Sequence, residues 1–375
     1  MTPREGGHEA ALTLAERDAM QLDLFSEDQS RKAPAPTPPA TFRPALPDLP
    51  PPPAPVTIAI PSRRPHQDVK PTPPAPRPAN RRYIPLQRNS HHAAHDIAEA
   101  VEAAWYGAHG GNRLEIPAGV VAALALWPQR GPDAPLAAQW WLDLNDDDFL
   151  AALRECWARW WIQRPDLIDR ATPLHRWLED ENPERNRMQA VRAVARAALT
   201  GGLLHLTSAA PDSGGNANAD VLGAVITVMR SHGARDVLAE FHTPPELSEL
   251  MARILLTDKE PTPGMKFNDP ASGTGGMYRA AAQCLRDRGL NPHDFGWAMT
   301  DIDPLAAAGA AVNAILWDLG PHVLVACADT LVEGDPYVRA AAEWRESHAR
   351  RDRMVESAQF LSRIRRLDAI LTGAA

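Results

Sequence analysis

The stretch FNDPASGTGGMY, residues 267–278, contains an Asp-Pro step and three glycines behind a short lead-in, GMKF at 264–267. Glycine has no Cβ, so the backbone of such a loop can approach a ligand closely. A helix that begins at the end of the loop also presents free amide groups to that ligand. The stretch therefore predicts a ligand-binding loop between a strand and a helix.

The sequence around this loop alternates between short apolar runs and segments with apolar residues at helical spacing. Such alternation predicts an α/β fold with a parallel sheet and crossover helices. The predicted elements are helices at 220–233 and 244–256, a helix at 277–289, a strand FGWAMTDID at 295–303, a helix at 304–320, a strand HVLVACADT at 322–330, a long polar helix at 336–366 and a last strand, LDAIL, at 367–371.

Two phosphate-binding patterns can be compared with the glycine loop. A dinucleotide-binding loop requires G-x-G-x-x-G, but Tyr278 stands where the third glycine would follow Gly273 and Gly275. A P-loop ends in Gly-Lys-Ser/Thr, which is missing from this stretch. The loop therefore favours a ligand other than a phosphate, and an NAD(P)-dependent oxidoreductase is disfavoured.

Four blocks in order resemble the adenine-N6 DNA methyltransferases, most closely the modification subunits of type I restriction systems. They are FHTPPEL at 241–247, NDPASGTGGMY at 268–278, MTDIDP at 299–304 and ADTL at 328–331, and the resemblance extends over about residues 218–372. It implies S-adenosylmethionine (SAM) as cofactor, DNA as substrate and a Rossmann-like SAM-dependent methyltransferase sheet, incomplete at its C-terminal end. It also implies a restriction-modification-like system, with a specificity subunit or a second methylase chain as partner.

The resemblance assigns roles to particular positions. Asp269 would contact the methionine amino group, Asp301 both ribose hydroxyls, and Asp329 the adenine amine. The cradle of the loop and the residues closing over the methionine end would be Ala271, Ser272, Gly273, Gly275 and Gly276, with Phe241, Thr243 and Pro244.

The catalytic residues of this chain are unknown from its sequence. Members of the family carry N/D-P-P-F/Y after the fourth strand, where it holds a flipped adenine, whereas LDAIL is followed here by TGAA. The triplet Asp335-Pro336-Tyr337 is similar, but no apolar strand precedes it, and a loop is expected there. Two interpretations follow: an adenine-N6 methyltransferase that is shortened, divergent or completed by a partner chain, or a non-catalytic SAM-binding relative acting as a DNA- or clamp-associated module.

The N-terminal part predicts two further segments. Residues 1–30 contain MQLDLFSE, in which Gln21, Leu22, Leu24 and Phe25 resemble the peptide by which bacterial polymerases and repair proteins bind the sliding clamp. The end of a short amphipathic helix is the alternative for this segment. Residues 31–90 hold about half of the 37 prolines, which predicts an extended, disordered tether.

Residues 91–210 are predicted to form a helical domain ahead of the SAM-binding domain at 218–375. Eight of the eleven tryptophans lie here at helical spacing, which favours core positions over base stacking. His91, His92 and His95 could begin a metal site, but no third ligand is evident, so a solvated helix start is favoured and no metal is expected.

Composition and charge limit the function classes further. The net charge is −8, but residues 31–90 carry ten Lys/Arg and two Asp, so that segment is +8 and the remainder −16. A basic tail of this kind serves as a solubilising linker or as a DNA contact. No stretch long enough for a membrane span and no apolar secretion core are seen, and the three cysteines follow no paired spacing, so a cytoplasmic protein without disulfides is expected.

Overall fold

The structure is a computed structural model that describes residues 89–127, 133–180, 185–208, 219–230, 243–258 and 260–371. The clamp-like peptide at 21–25, the Pro-rich segment up to residue 88 and Phe241 lie outside the described residues. Within the described ranges, no helix combines the length and the apolar character that crossing a membrane requires.

The first half of the described chain is helical, as the sequence predicts. Polar caps set several of its helix starts: the Asn89 side chain accepts from His91 N, and that of Asn145 accepts from Asp148 N. The helices are α1 Ser90–Gly107, α2 Glu115–Ala125, α3 Ala134–Asp143, α4 Asp146–Gln163, α5 Pro165–Arg170, α6 Thr172–His175, α7 Arg185–Thr200, α8 Leu203–Leu206 and α9 Val221–Met229, with a 3-10 turn at Arg176–Glu179.

Tryptophans form much of the core of this helical part. Trp105 and Trp141 are completely buried, and Trp157 and Trp177 are nearly so. Trp140 is partly exposed and stacks on Trp127 with ring centroids 5.1 Å apart. The prediction that these tryptophans serve the core is confirmed for the buried four.

The second half alternates strands and helices. It contains α10 Pro245–Asp258, β1 Lys266–Asp269, α11 Gly276–Asp287, a 3-10 turn at Pro292–Asp294, β2 Gly296–Asp301, α12 Pro304–Leu316, β3 Val323–Cys327 and α13 Pro336–Leu371. Among the described residues the sheet has three parallel strands in the order β1-β2-β3. The predicted parallel sheet is thus confirmed over these strands.

The sheet is covered by helices on both faces. Trp297, Met299, Val323 and Val325 pack in one cluster with residues of α11 and α12. The alternate positions, including Ala298, Leu324 and Ala326, pack against the first turns of α13. Since neighbouring residues of a strand point to opposite faces, this division follows from the continuous apolar run of each strand.

In the described part of the chain, arginine side chains rather than another strand cover the outer edge of β3. Arg170 Nε donates to the carbonyl of Val325 at 3.1 Å, and Arg339 Nη2 donates to that of Cys327 at 3.0 Å. These bonds satisfy backbone carbonyls that an edge strand leaves without a partner.

The prediction of a fourth strand at LDAIL is wrong. Residues 367–371 form the last turns of α13, a helix of 36 residues. A short apolar run fits a strand or a helix equally well by its periodicity, and the segment from 337 to 371 contains neither glycine nor proline that would end the helix before it.

The helical part and the sheet part share apolar packing. Ala308 and Val312 of α12 belong to the same buried cluster as residues of α1, α2 and α9. The division into domains at 91–210 and 218–375 remains a prediction, and all the described residues lie in one compact unit.

Candidate cofactor-binding site

The glycine loop joins β1 to α11 at the carboxyl end of the sheet. Gly273 and Gly275 have φ values of +55° and +93°, which side chains with a Cβ rarely adopt. The loop is fixed to the neighbouring strand by Ser272, whose amide donates to the Thr300 carbonyl at 2.8 Å. The chain thus turns from β1 into the N-terminus of α11, as the sequence predicts.

Asp301, at the end of β2, holds the middle of this loop. Its Oδ2 accepts from Gly273 N at 2.7 Å, and its Oδ1 accepts from Asp303 N at 2.9 Å. Each carboxylate oxygen has a second lone pair, so both remain able to accept from a ligand. The residue predicted for the ribose therefore also shapes the loop.

A cavity of about 520 Å³ lies in front of the loop. It is within the size range of pockets for small ligands. Its wall includes these predicted residues: Thr243, Pro244, Asp269, Ala271, Ser272, Gly273 and Gly276. Gly275, Asp301 and Asp329 are not on this wall.

Gly275 is needed for the turn into α11 and does not line the cavity. It is the cap residue that precedes α11, and a Cβ there would lie 3.1 Å from Cζ3 of Trp317. Any larger residue would have to displace the tryptophan ring as well as adopt the strained φ.

Asp220 is a cavity residue that the sequence analysis does not identify. It caps α9 by accepting from Gly223 N at 2.8 Å, and it accepts from Thr274 Oγ1 at 2.6 Å and from Asn313 Nδ2 at 2.8 Å. Asn313 also donates to the Thr274 carbonyl at 2.9 Å. The only local signal is an aspartate before an apolar helix, which indicates an N-cap.

His91 does not lie in the solvated position that the sequence favours. Its ring is largely buried on the cavity wall, and Nε2 lies 3.1 Å from Oε1 of Glu249 on α10. The same carboxylate oxygen accepts from Arg279 Nη2 of α11 at 3.1 Å. Because these partners come from three distant segments, local sequence gives no sign of the arrangement.

The charges around the cavity favour a cationic ligand. Among the described wall residues, Asp220, Glu246 and Asp269 are acidic, while the guanidinium of Arg279 is paired with Glu249. Burial raises the pKa of Asp269; the hydrogen bond from Ala271 N opposes this shift, and the charge of Asp301 adds to it. A cation beside Asp269 would favour its ionised form.

A family model supplies the decisive comparison. The model of the N-6 DNA methylases matches residues 219–344, about a third of the chain, from the cap of α9 to the first turns of α13. Residues 219–344 belong to the N-6 DNA methylase family. The resemblance carried by the four sequence blocks is thereby confirmed.

The comparisons with curated proteins and with solved structures give less information about this methylase segment. No curated protein matches the chain. One similar solved structure is the type I restriction-modification system methyltransferase subunit from Streptococcus thermophilus, with 16% identity and a TM-score of 0.37. The match covers 64% of this chain and 58% of that chain, and a score of this size establishes no common fold.

The methylase segment also exposes apolar side chains beside the predicted adenine contact. Asp329 follows β3 and accepts from Leu331 N at 2.9 Å. Leu331 is 95% exposed, and Ile302, which follows Asp301 on the neighbouring strand, is 62% exposed. Both residues lie at the carboxyl ends of parallel strands, where ligands bind in open α/β sheets.

The loop expected at Asp335-Pro336-Tyr337 is limited to Asp335, because α13 begins at Pro336. Asp335 Oδ1 accepts from Tyr337 N at 3.1 Å, and the buried Tyr337 hydroxyl bonds to the Asn268 side chain of β1. Its ring packs with Ala298 and Ala326 of the sheet. A ring held in this way cannot stack on a flipped base.

Proposed function

We propose that this chain binds SAM at the glycine loop and acts in adenine-N6 DNA methylation, transferring a methyl group from SAM to an adenine flipped out of the duplex. The family match supports the methylase assignment, and SAM is the cofactor that the family resemblance implies. The finer assignment of a Rossmann-like SAM-dependent sheet belongs to the same proposal.

The observation that carries the cofactor proposal is the combination of loop geometry with charge. Among the described residues, three carboxylates and Gly273 of the glycine loop line the same cavity. The one guanidinium on the described wall is paired with Glu249. A dinucleotide or another phosphate ligand would meet these negative charges, whereas the sulfonium and ammonium groups of SAM are attracted to them.

The resemblance gives each part of the ligand its contacts. The methionine end would lie against Asp269 with Thr243 and Pro244, and Phe241 would join them. The ribose hydroxyls would donate to Asp301, and the adenine amine to Asp329, between the exposed side chains of Ile302 and Leu331. When bound, SAM supplies the methyl group, and these residues hold it in place.

A specific observation favours a second candidate function, a SAM-binding module without activity of its own. Among the described residues, the expected fourth strand is helical and Tyr337 of the DPY triplet is buried in the sheet. No described residue therefore takes the place of the N-P-P-F/Y loop, and catalysis by this chain would need that loop from residues outside the described ranges or from a partner such as a second methylase chain.

Two measurements test the proposal in order. Isothermal titration calorimetry of the full chain with SAM should show binding; its complete lack would refute the cofactor assignment. Transfer of labelled methyl from SAM to adenine-containing DNA then separates the two functions. Turnover by the chain alone supports the enzyme, whereas turnover only with a specificity subunit or second methylase chain supports a shared active site.

A further inference from the structure

Asp220 stands apart from the other acidic residues of the cavity because its carboxylate is fixed from three directions. The Gly223 amide and the Asn313 side chain donate to Oδ1, both at 2.8 Å, and the Thr274 hydroxyl donates to Oδ2 at 2.6 Å. Thr274 and Asn313 are almost completely buried. The carboxylate therefore has one position, and its charge has a fixed place on the cavity wall.

The segment before α9 is held to α12 by a second contact. Trp317, the residue that directly follows α12 and lies four positions after Asn313, donates from Nε1 to the Ala219 carbonyl at 3.4 Å. Residues four apart lie on the same side of a helix, so Asn313 and Trp317 bond to the neighbouring residues Asp220 and Ala219 from one side. The same Asn313 holds the Thr274 carbonyl of the loop at 2.9 Å.

The space between the carboxylate and the first turn of α9 is filled. A Cβ at Gly223 would lie 2.3 Å from Asp220 Oδ2 and 2.5 Å from Thr274 Oγ1. On the loop side, a Cβ at Gly276 would lie 3.9 Å from the same oxygen. The carboxylate thus faces the first turn of α11, where the loop ends and the cavity begins.

We propose that Asp220 supplies the negative charge by which this cavity selects the cationic cofactor SAM over its demethylated product, S-adenosylhomocysteine. The proposal rests on the proposed function. The two molecules share the ammonium, carboxylate, ribose and adenine, and they differ in the methyl group and in the positive charge on sulfur. A fixed carboxylate on the cavity wall attracts the sulfonium of SAM and gains no matching attraction to the uncharged sulfur of S-adenosylhomocysteine.

The three hydrogen bonds that fix its carboxylate suit Asp220 to this role, and its expected ligand contact differs from that of Asp269. The resemblance places Asp269 at the methionine amino group, which is present in both molecules, so its charge does not discriminate between them. A charge that is held rigidly before the ligand arrives requires no reorganisation when the sulfonium enters.

The test compares Kd values for SAM and S-adenosylhomocysteine by calorimetry on the full-length chain. Asp220→Asn removes the charge but keeps the hydrogen bonds, because the amide oxygen can accept from Gly223 and Asn313 and the Thr274 hydroxyl can turn to accept. We expect SAM affinity to fall at least about tenfold and that for S-adenosylhomocysteine to change less than about twofold, since one charge contact at about 4 Å corresponds to about fivefold in water and about a thousandfold at the effective dielectric of a protein surface.

Three matched variants separate charge from scaffolding. Thr274→Val removes one support of the carboxylate but keeps its charge, so the ratio of the two Kd values should stay closer to that of the wild type than in Asp220→Asn. Asp269→Asn should weaken both ligands, because its proposed contact is present in both. Asp294→Asn removes an exposed charge from the 3-10 turn after α11, and it should leave both affinities unchanged.

The outcomes are distinguishable. Equal loss of both ligands in Asp220→Asn would overturn the charge proposal and leave the cofactor assignment intact, whereas a wild-type chain that binds neither ligand would overturn both. If Asp220→Asn does not give the circular dichroism spectrum of the folded protein, the wild type still tests the idea. Its SAM affinity should decrease with sodium chloride more steeply than that for S-adenosylhomocysteine, and equal slopes would refute the proposal.

Discussion

Replacement of Asp301 by alanine tests whether the carboxylate at the end of β2 serves both the loop and the cofactor. The change removes the acceptor of the Gly273 amide at 2.7 Å and that of the Asp303 amide at 2.9 Å. It also removes the proposed acceptor of the ribose hydroxyls. Two separate losses are therefore expected, one in stability and one in affinity.

The magnitudes follow from the kind of bond. A hydrogen bond to a charged group contributes about 1.5–3 kcal/mol, so SAM affinity should fall about 10- to 150-fold. An amide left without an acceptor costs about 1–3 kcal/mol when buried, and because Asp301 is only half-buried, water can replace part of the loss. The free energy of unfolding should therefore decrease by about 1–2 kcal/mol.

Calorimetry with SAM gives the affinity, and urea unfolding followed by circular dichroism gives the stability. Asp294→Asn serves as the control, because this exposed carboxyl lies outside the cavity. An Asp301→Ala chain that remains folded and binds SAM within about twofold of the wild type would show that Asp301 does not contact the cofactor, whatever its effect on stability.

Further predictions concern the loop, its neighbouring ion pairs and the N-terminal segment. Gly275→Ala should lower the free energy of unfolding by about 1–2 kcal/mol in urea melts, because φ is +93° and the new Cβ lies 3.1 Å from Trp317; unchanged stability would contradict the described turn. Partial burial acts to raise the pKa of Glu249, but hydrogen bonds from His91 and Arg279 outweigh it and lower that pKa. A carboxyl with a lowered folded-state pKa stabilises the fold above its unfolded pKa of about 4.3, and this contribution is lost as the pH falls through the folded value. Urea midpoints should accordingly drop more between about pH 5 and pH 3 in the wild type than in Glu249→Gln; parallel profiles would exclude the contribution. Leu24→Ala/Phe25→Ala should abolish recovery of the chain with the sliding clamp in a pulldown, and equal recovery would show that MQLDLFSE is not a clamp-binding peptide.

Much of the α/β part could be predicted from local sequence, because its signals are local. Three glycines around the start of α11, an Asp-Pro step at the starts of α12 and α13, and the apolar runs of β2 and β3 place the starts of these five elements within about one residue. The predicted loop lies where the sequence placed it, and seven of the predicted contacts line one cavity.

The two wrong predictions, the strand at LDAIL and the solvated His91, also have physical reasons. LDAIL fits a strand or a helix by its composition, and the choice depends on whether a strand partner or a continuing helix is next to it. Here the helix continues to Leu371. The sequence favours a solvated His91 because Glu249, its partner on α10, and Arg279, which bonds to the same carboxylate oxygen, are more than 150 residues away along the chain.

The sequence by itself determined a glycine loop, its position between a strand and a helix, and the resemblance to the N-6 DNA methylases that the match over residues 219–344 confirms. Tertiary structure alone decided what surrounds that loop. Asp220 meets Thr274 and Asn313 across separations of 54 and 93 residues. Hydrogen bonds of this kind depend on how helices pack, and no pattern of neighbouring residues encodes them, so the charge on the cavity wall became visible only in the folded chain.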